Sequence, residues 1–393
     1  MAAISGLRGT GQFTTDFRPT NYRELFTLLE PNGSAPLQAL LSMAGSESTD
    51  DPKFNHFRDE MPDRKLQVNG AISSSSTTSV VVDASDDEAF VIPGTIIYNT
   101  VTGEVMRATA AANTSNHTLT LERNIGGTSH NIADDSALII AGFADIEGGT
   151  APTAVSFDPT TDFNFTQIFK TAVQVSGTLQ NTYLRTGDKE QESLTKALKM
   201  HMSDIERAMF FGKRHIANGT TASPTRYTGG LLSQITNISD AASGFAASNT
   251  ITEKEFDRLL IENIFQYGGS EKVMFAGARV ISNLMEIGKN RWQPQQVDNA
   301  YGVSFTRYTT YAGDLLVQMH PMFRQVPNMA KTAVILDMSE ISYKYMAGRD
   351  TQLMRNIETP DFDGVKHMYQ SECGLEMLQS KPHWVIKNWN AVS

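Results

Sequence analysis

From Asp188 to Arg214 the chain reads DKEQESLTKALKMHMSDIERAMFFGKR, and no other stretch restricts the possible folds as much. Leu194, Ala197, Leu198, Met202, Ile205, Ala208 and Met209 recur at steps of three and four, which lays one apolar stripe along a helix. Acidic residues open the segment and Lys213, Arg214 and His215 close it, as the helix dipole prefers. At 1.5 Å per residue the helix would run about 40 Å, well beyond the usual length of about 11 to 12 residues. A helix of that length has to lie across something large.

The segment before it, FNFTQIFKTAVQVSGT from Phe163 to Thr178, has period two. Phe163, Phe165, Phe169, Val173 and Val175 occupy the odd positions, and Asn164, Thr166, Lys170, Gln174 and Ser176 the even ones. The pattern predicts a strand whose odd face is buried and whose even face meets solvent or a neighbour. Strand and helix together form the best-patterned part of the chain, yet carry no recognisable chemistry.

The rest is assembled from smaller pieces. The first 60 or so residues read as an arm, with short helices in NYRELFTLLEP and APLQALLSMAG that cannot make a core alone. Between 67 and 142, SVVVD, GTIIYN, GEVMRATA, HTLTLERN and SALIIAGF are short β runs separated by turn residues, which predicts a small barrel or sandwich. A Pro/Gly/Thr-rich connector, IEGGTAPTAVSFDPTTD, follows. Beyond the long helix, Thr252 and Glu255 form a capping-box pattern, KVMFAG hands over to the helix ARVISNLMEIG, and TYAGDLLV reads as a hairpin. The order shows no regular βαβ repeat, so the class is α+β.

Composition narrows the function. The 393 residues suggest two or three units with real cores, and a net charge of −10 excludes a polycation built to clamp nucleic acid. One cysteine, Cys373, excludes an intramolecular disulfide and predicts a buried, inert thiol. No run approaches the roughly 20 apolar residues of a membrane span, and the N-terminus lacks a signal-peptide core, so folding in a reducing cytoplasm is expected.

The search for chemistry finds no P-loop, dinucleotide loop, nucleophile elbow or H-E-x-x-H helix. In DASDDE, Asp83, Ser85 and Asp87 have calcium-loop spacing, but Glu88 and Gly94 replace the required glycine and glutamate, which favours a solvated turn. His201 beside the apolar stripe reads as a packing or interface contact, His215 follows the helix, and His320, His367 and His383 are scattered among strands. Glu190 with Glu192, and Asp134 with Asp135, read as solvated faces and turns. Trp292, Trp384 and Trp389 read as core or interface anchors. No enzyme, no catalytic, cofactor-binding or metal-binding residue, and no cofactor is expected.

The arm and the connector would leave backbone groups unpaired unless neighbours complete them, which argues for an assembly subunit. NFTQIF followed by VQVSGT, the segment GDKEQESLTKALKMHMSDIERAMFFG, KVMFAGARVISNL, TAVILDMSEISYKYMAGRD and QSECGLEML together resemble the major capsid proteins of tailed double-stranded DNA bacteriophages. The likeness is to the subgroup with a β domain inserted in an extended loop, and it spans most of residues 20–390 as a spaced series of motifs.

The resemblance implies an N-terminal arm over 1–52, an extended loop at 53–66 and 143–162, and an inserted β domain over 67–142. It implies a peripheral domain at 163–224 and 336–393 with its spine helix at 188–214, and an axial domain at 225–335. It further implies hexamers and pentamers of an icosahedral shell around double-stranded DNA, bound non-specifically. Portal and possibly scaffold or decoration proteins are the implied partners, with no membrane. The implied location is the virion, assembled in the bacterial host cytoplasm. A β-rich fibre, decoration or adhesin-type binding protein is the alternative that the short β runs keep open.

Overall fold

The computed structural model describes residues 36–38, 41, 45–84, 86–182, 188–288 and 306–392. The helix expected in NYRELFTLLEP and Trp292 lie outside them. The chain divides into two units, Met1–His56 with Asp162–Ser393, and Phe57–Thr161.

In the larger unit, the period-two segment forms the strand Gln167–Ser176, which pairs antiparallel with the 14-residue strand Gly364–Met377 in a register running from Gln167↔Cys373 to Ser176↔Gly364. Ile341–Met346 continues this sheet, Ser46–Thr49 of the arm pairs with it in parallel, and Gln352–Met354 also joins the long strand. From Gln167 onwards the alternation holds, with Phe169 and Val175 buried and Lys170, Ala172 and Gln174 exposed. Before that point it reverses. A strand Thr160–Phe165 ends and the next begins at Gln167, so the even residues Asn164 and Thr166 are turned inward at 1% exposure each.

The long helix spans Lys189–Phe211, 23 residues or about 34 Å, rather than reaching Arg214. Asp188 caps it by accepting from the Glu190 N–H at 2.9 Å. It stops because Gly230 crosses its end, donating its N–H to the Gly212 carbonyl at 2.9 Å. A Cβ on Gly230 would meet the Met209 carbonyl oxygen at 2.8 Å, so only glycine permits that approach. The expected basic C-terminus is therefore absent, and Arg214 pairs with Asp162 at 2.7 Å instead. The stripe packs as predicted through Leu194, Ala197, Ile205 and Met209, but it also carries buried His201 and Glu206.

A second, six-stranded sheet of the same unit runs in the order Ile238–Asp240, Trp384–Lys387, Ala333–Leu336, Glu271–Ala276, Asp314–Met319, Thr306–Thr309. Parallel and antiparallel pairings mix in it, which makes the class α+β. The capping box at Thr252 and Glu255 starts the helix Glu253–Leu259, which passes into one π turn at Leu260–Ile264. The strand Trp384–Lys387 falls in the span expected to be peripheral, yet it pairs with Ala333–Leu336, and Trp389 is buried in the second core with Phe256 and Met274.

The unit Phe57–Thr161 has its own core, including Leu66, Val80, Ile97, Met106, Leu119 and Leu138. Its sheet contains the five expected strands and one more, Lys65–Gln67, just upstream of the expected boundary. The first and last strands meet, because Asn69 N–H donates to Val81 O at 3.0 Å and Asp83 N–H to Gln67 O at 2.8 Å. The sheet thus closes on itself as a small barrel, which leaves no long free edge. This unit holds 14 Asp and Glu against 5 Lys and Arg, leaving 29 against 28 for all the rest.

Candidate functional site: the seats of the ribbon and the arm

The buried histidines are taken up singly, each as a hydrogen-bonding strut. His201 is fully buried and bonds Thr171 Oγ1 at 3.0 Å and Ser371 Oγ at 2.7 Å, pinning the long helix to both central strands. Burial pulls its pKa down, so the ring is neutral, and its second partner is a hydroxyl where a catalytic triad would need a carboxylate. His320, His367 and His383 each accept a backbone N–H at Nδ1, from Met322, Asn356 and Asp337 respectively. His367 Nε2 lies 2.9 Å from Glu190, which is therefore a partner of a buried ring and not simply a solvated acid. His215 stacks on Tyr227 at the surface. Among the described residues no three His, Cys, Asp or Glu side chains converge as a metal ion requires.

Asp87 of the calcium-like segment accepts the Lys65 N–H at 3.0 Å and Glu88 bonds His117 Nδ1 at 2.9 Å, so these acids are structural rather than a simple solvated turn. Asp134 holds the Gly70 N–H at 2.7 Å. A surface groove of about 470 Å³ near Asp240, Glu255, Arg258 and Glu262 has the size of a small-ligand site. Its carboxylates are already engaged. Asn388 and the Ala242 N–H hold Asp240 below the usual carboxylate range, and the Thr252 and Ala246 N–H groups do the same for Glu255. Both are stable anions with no tendency to donate a proton. Cys373 is buried, and burial pushes its thiol up to about 12, which leaves it unreactive as expected.

What the larger unit does concentrate is buried polar side chains at two seats. The first holds the ribbon formed by Lys53–Arg58 and Thr160–Phe165. Asn164 makes four bonds there. Its Nδ2 donates to Leu375 O at 2.7 Å and Gly229 O at 2.9 Å, and its Oδ1 accepts from the N–H groups of Gly229 at 2.7 Å and Phe165 at 2.8 Å. Phe163 meets two cations, with Lys53 Nζ 4.1 Å and the Arg214 guanidinium 4.2 Å from its ring centre, and Arg214 also donates to the Phe163 carbonyl. Phe54 is buried over Gly374, where an added Cβ would meet Phe165 O at 2.6 Å and the Phe54 ring at 3.1 Å. Below, Thr166 bonds Glu372 at 3.2 Å, and Glu372 accepts from Arg349 Nε at 2.6 Å.

The second seat holds the arm. Leu37 and Leu41 are fully buried in the main core with Ile205, Met209 and Phe210. The N–H groups of Leu37 and Gln38 donate to Glu206 Oε1 and Oε2 at 2.9 and 3.0 Å, and Gln38 Nε2 donates to Met202 O at 3.1 Å. Glu206, on the long helix, thus satisfies two backbone donors of the arm and ties it to that helix. Further along, Lys344 bridges Glu47 of the arm strand and Glu376 of the long strand. These described parts of the arm pack on the larger unit of their own chain.

Sequence reasoning missed Asn164, Glu206 and His320 as seat residues. Asn164 stood in a tidy period-two pattern, and each of the three has a partner distant in the chain. The available signal was a polar residue breaking an apolar stripe, as Glu206 does between Ile205 and Met209.

Comparison with known proteins then supplies the biological context. The family model described as SU10 major capsid protein matches residues 9–390. A major capsid protein of Pseudomonas phage PaMx41 is 30% identical over 339 residues, covering 82% of this chain and 78% of that protein. Among solved structures, the capsid of Myoviridae phage XM1 covers 98% of this chain and 99% of its own, at 9% identity and a TM-score of 0.43. The capsid of a native GTA particle covers 94% of each chain at 8% identity and a TM-score of 0.44. The family match and the sequence relative settle the matter without the structural likenesses: the chain belongs to the SU10 major capsid protein family.

Proposed function

We propose that the chain tiles an icosahedral phage shell as hexamers and pentamers, with the ribbon Lys53–Arg58 and Thr160–Phe165 as the rigid root of an extended loop that reaches a neighbouring subunit. The observation that carries this reading is the buried seat around Asn164. Four hydrogen bonds, two cation–π contacts and a glycine notch immobilise a two-stranded ribbon that by itself is marginally stable at best. A lever that transmits contact between subunits needs such a root. Many individually weak contacts, repeated around closed symmetry, then add up to a stable shell.

The acidic barrel, with 14 acidic against 5 basic residues, suits a surface kept off the packaged DNA, and we place it away from the genome. DNA inside is held non-specifically, a portal joins the shell with scaffold or decoration proteins as further partners, and assembly takes place in the host cytoplasm. The role is structural, without catalysis. Electron microscopy of the purified protein tests the reading: capsomer rings or closed shells support it, whereas a monodisperse monomer or fibres at assembly concentrations count against it.

A further inference from the structure

Two Asn–Gly pairs fall among the described residues, and the structure treats them in opposite ways. In such a pair the glycine nitrogen can reach the asparagine Cγ, because no Cβ crowds its approach. Two conditions favour the attack: a glycine N–H that is not tied down, and surroundings that tolerate the amide anion that makes it.

Asn218–Gly219 meets both. The pair lies in the turn that joins His215–Ala217 to Thr225–Tyr227, and both residues are exposed. Asn218 stands at φ 55°, in the left-handed region. Its carbonyl accepts the Thr221 N–H at 3.0 Å and Thr221 Oγ1 at 2.8 Å. Among the described residues, neither its side-chain amide nor the Gly219 N–H has a hydrogen-bond partner. Residues 213–227 carry Lys213, Arg214 and Arg226 but no Asp or Glu, and positive charge nearby favours an anion.

Asn69–Gly70 meets neither. Asp134 Oδ1 accepts the Gly70 N–H at 2.7 Å, and Asn69 donates its own N–H to Val81 O at 3.0 Å. The group that holds Gly70 is itself a carboxylate, so an amide anion there would face like charge.

We propose that Asn218 is a site of spontaneous deamidation and that Asp134 shields Asn69 from the same reaction. At Asn218 the Gly219 nitrogen gives its proton to hydroxide and bonds to Cγ. The Cγ–Nδ2 bond breaks, and Nδ2 takes a proton from water and leaves as ammonia. Water then opens the cyclic imide at either carbonyl, which yields aspartate or its β-linked isomer. Water is the co-reactant throughout. The product places a carboxylate in a segment that otherwise carries cations, and the β-linked form lengthens the turn by one backbone atom. The strand Thr225–Tyr227 leads directly into Thr228 and Gly229, whose N–H groups donate to Gln167 and Asn164, so the change falls beside the ribbon seat.

The test is peptide mass spectrometry of the full-length subunit held at pH 8 and 37 °C and sampled over several weeks. Synthetic peptides 65–75 and 213–227 give the rates of the two pairs without a fold. Attack at Asn69 requires the Gly70 bond to a carboxylate to open first, so Asn69 should convert about tenfold or more slowly than Asn218. A Cβ on Gly219 would come no closer than 3.5 Å to Ile216, so Gly219→Ala is accommodated, and it should slow Asn218 about tenfold by crowding the nitrogen. Asp134→Ala should speed Asn69, whereas Asp134→Asn retains an acceptor and should not. Equal wild-type rates at Asn69 and Asn218 overturn the proposal, as does an Asn218 that stays intact while peptide 213–227 converts. The shielding is overturned if Asn69 converts in the protein as fast as in peptide 65–75, or if Asp134→Ala leaves its rate unchanged. The comparison with peptide 65–75 uses the wild type, so it decides the shielding even if Asp134→Ala does not fold.

Discussion

Replacing Asn164 by alanine isolates the contribution of the ribbon seat. The side chain is 1% exposed and satisfies four backbone groups, of which Gly229 and Leu375 belong to buried residues. Alanine leaves the Gly229 N–H and the Leu375 C=O without this partner, while the Gly229 C=O keeps Gln234 Nε2 at 2.7 Å. Each buried group orphaned in this way costs about 1 to 3 kcal/mol. Allowing for relaxation and for the second lone pair of the Leu375 carbonyl, Asn164→Ala should lose about 3 to 5 kcal/mol, a large fraction of the roughly 5 to 15 kcal/mol typical of a folded domain. Urea unfolding of the unassembled subunit, followed by near-UV circular dichroism, reads the shift of the midpoint. Asn113→Ala is the control: its side chain also organises a turn, through Ser115 and Asn116 N–H groups, but it lies at the surface. That change should cost under about 1 kcal/mol. An Asn164→Ala loss no larger than the control's would refute the reasoning, because the four bonds would then contribute nothing beyond an exposed turn.

Gly374→Ala should displace the ribbon, since its Cβ would lie 2.6 Å from Phe165 O and press on Phe54; faster hydrogen exchange at 53–58 and 160–165 checks it, and wild-type exchange there would contradict it. Lys272 is fully buried, with Nζ bonded to the carbonyls of Ile264, Tyr267 and Pro382 at 2.6 to 2.8 Å, and burial pushes its pKa down to about 8. The folded state therefore releases this proton first, while the unfolded chain holds it to about 10.4. Stability from this group rises with pH between those values and is flat below the lower one, by up to about 1.4 kcal/mol per pH unit. The stability of the wild type minus that of Lys272→Met, from urea titrations at pH 7, 8.5 and 10, should increase with pH; a constant difference would contradict it.

Features governed by local pattern were legible in the sequence. The long helix's stripe, the capping box at Thr252, the hairpin around Gly313 and the five expected strands of the barrel all follow from spacing and turn chemistry. Features set by distant partners were not. The helix stops at Phe211 because Gly230 passes over its end, and no local signal announces that crossing. Asn164 and Thr166 look like outward residues of a continuous strand until the strand breaks between them and Gln167. Trp384–Lys387 reads as a strand, but its choice of the six-stranded sheet depends on pairing with Ala333–Leu336, some 50 residues away. Glu206 sits one position from Ile205, in a stripe that sequence alone would complete with apolar residues.

The most direct test of the account is a cryo-electron microscopy reconstruction of particles assembled from this chain. The account predicts a closed icosahedral shell in which the unit Phe57–Thr161 of one subunit contacts an adjacent subunit, while 53–56 and 162–165 remain seated on their own chain through Asn164 and Phe163. A shell in which that root detaches from its own chain, or a protein that forms no shell at all, would contradict it.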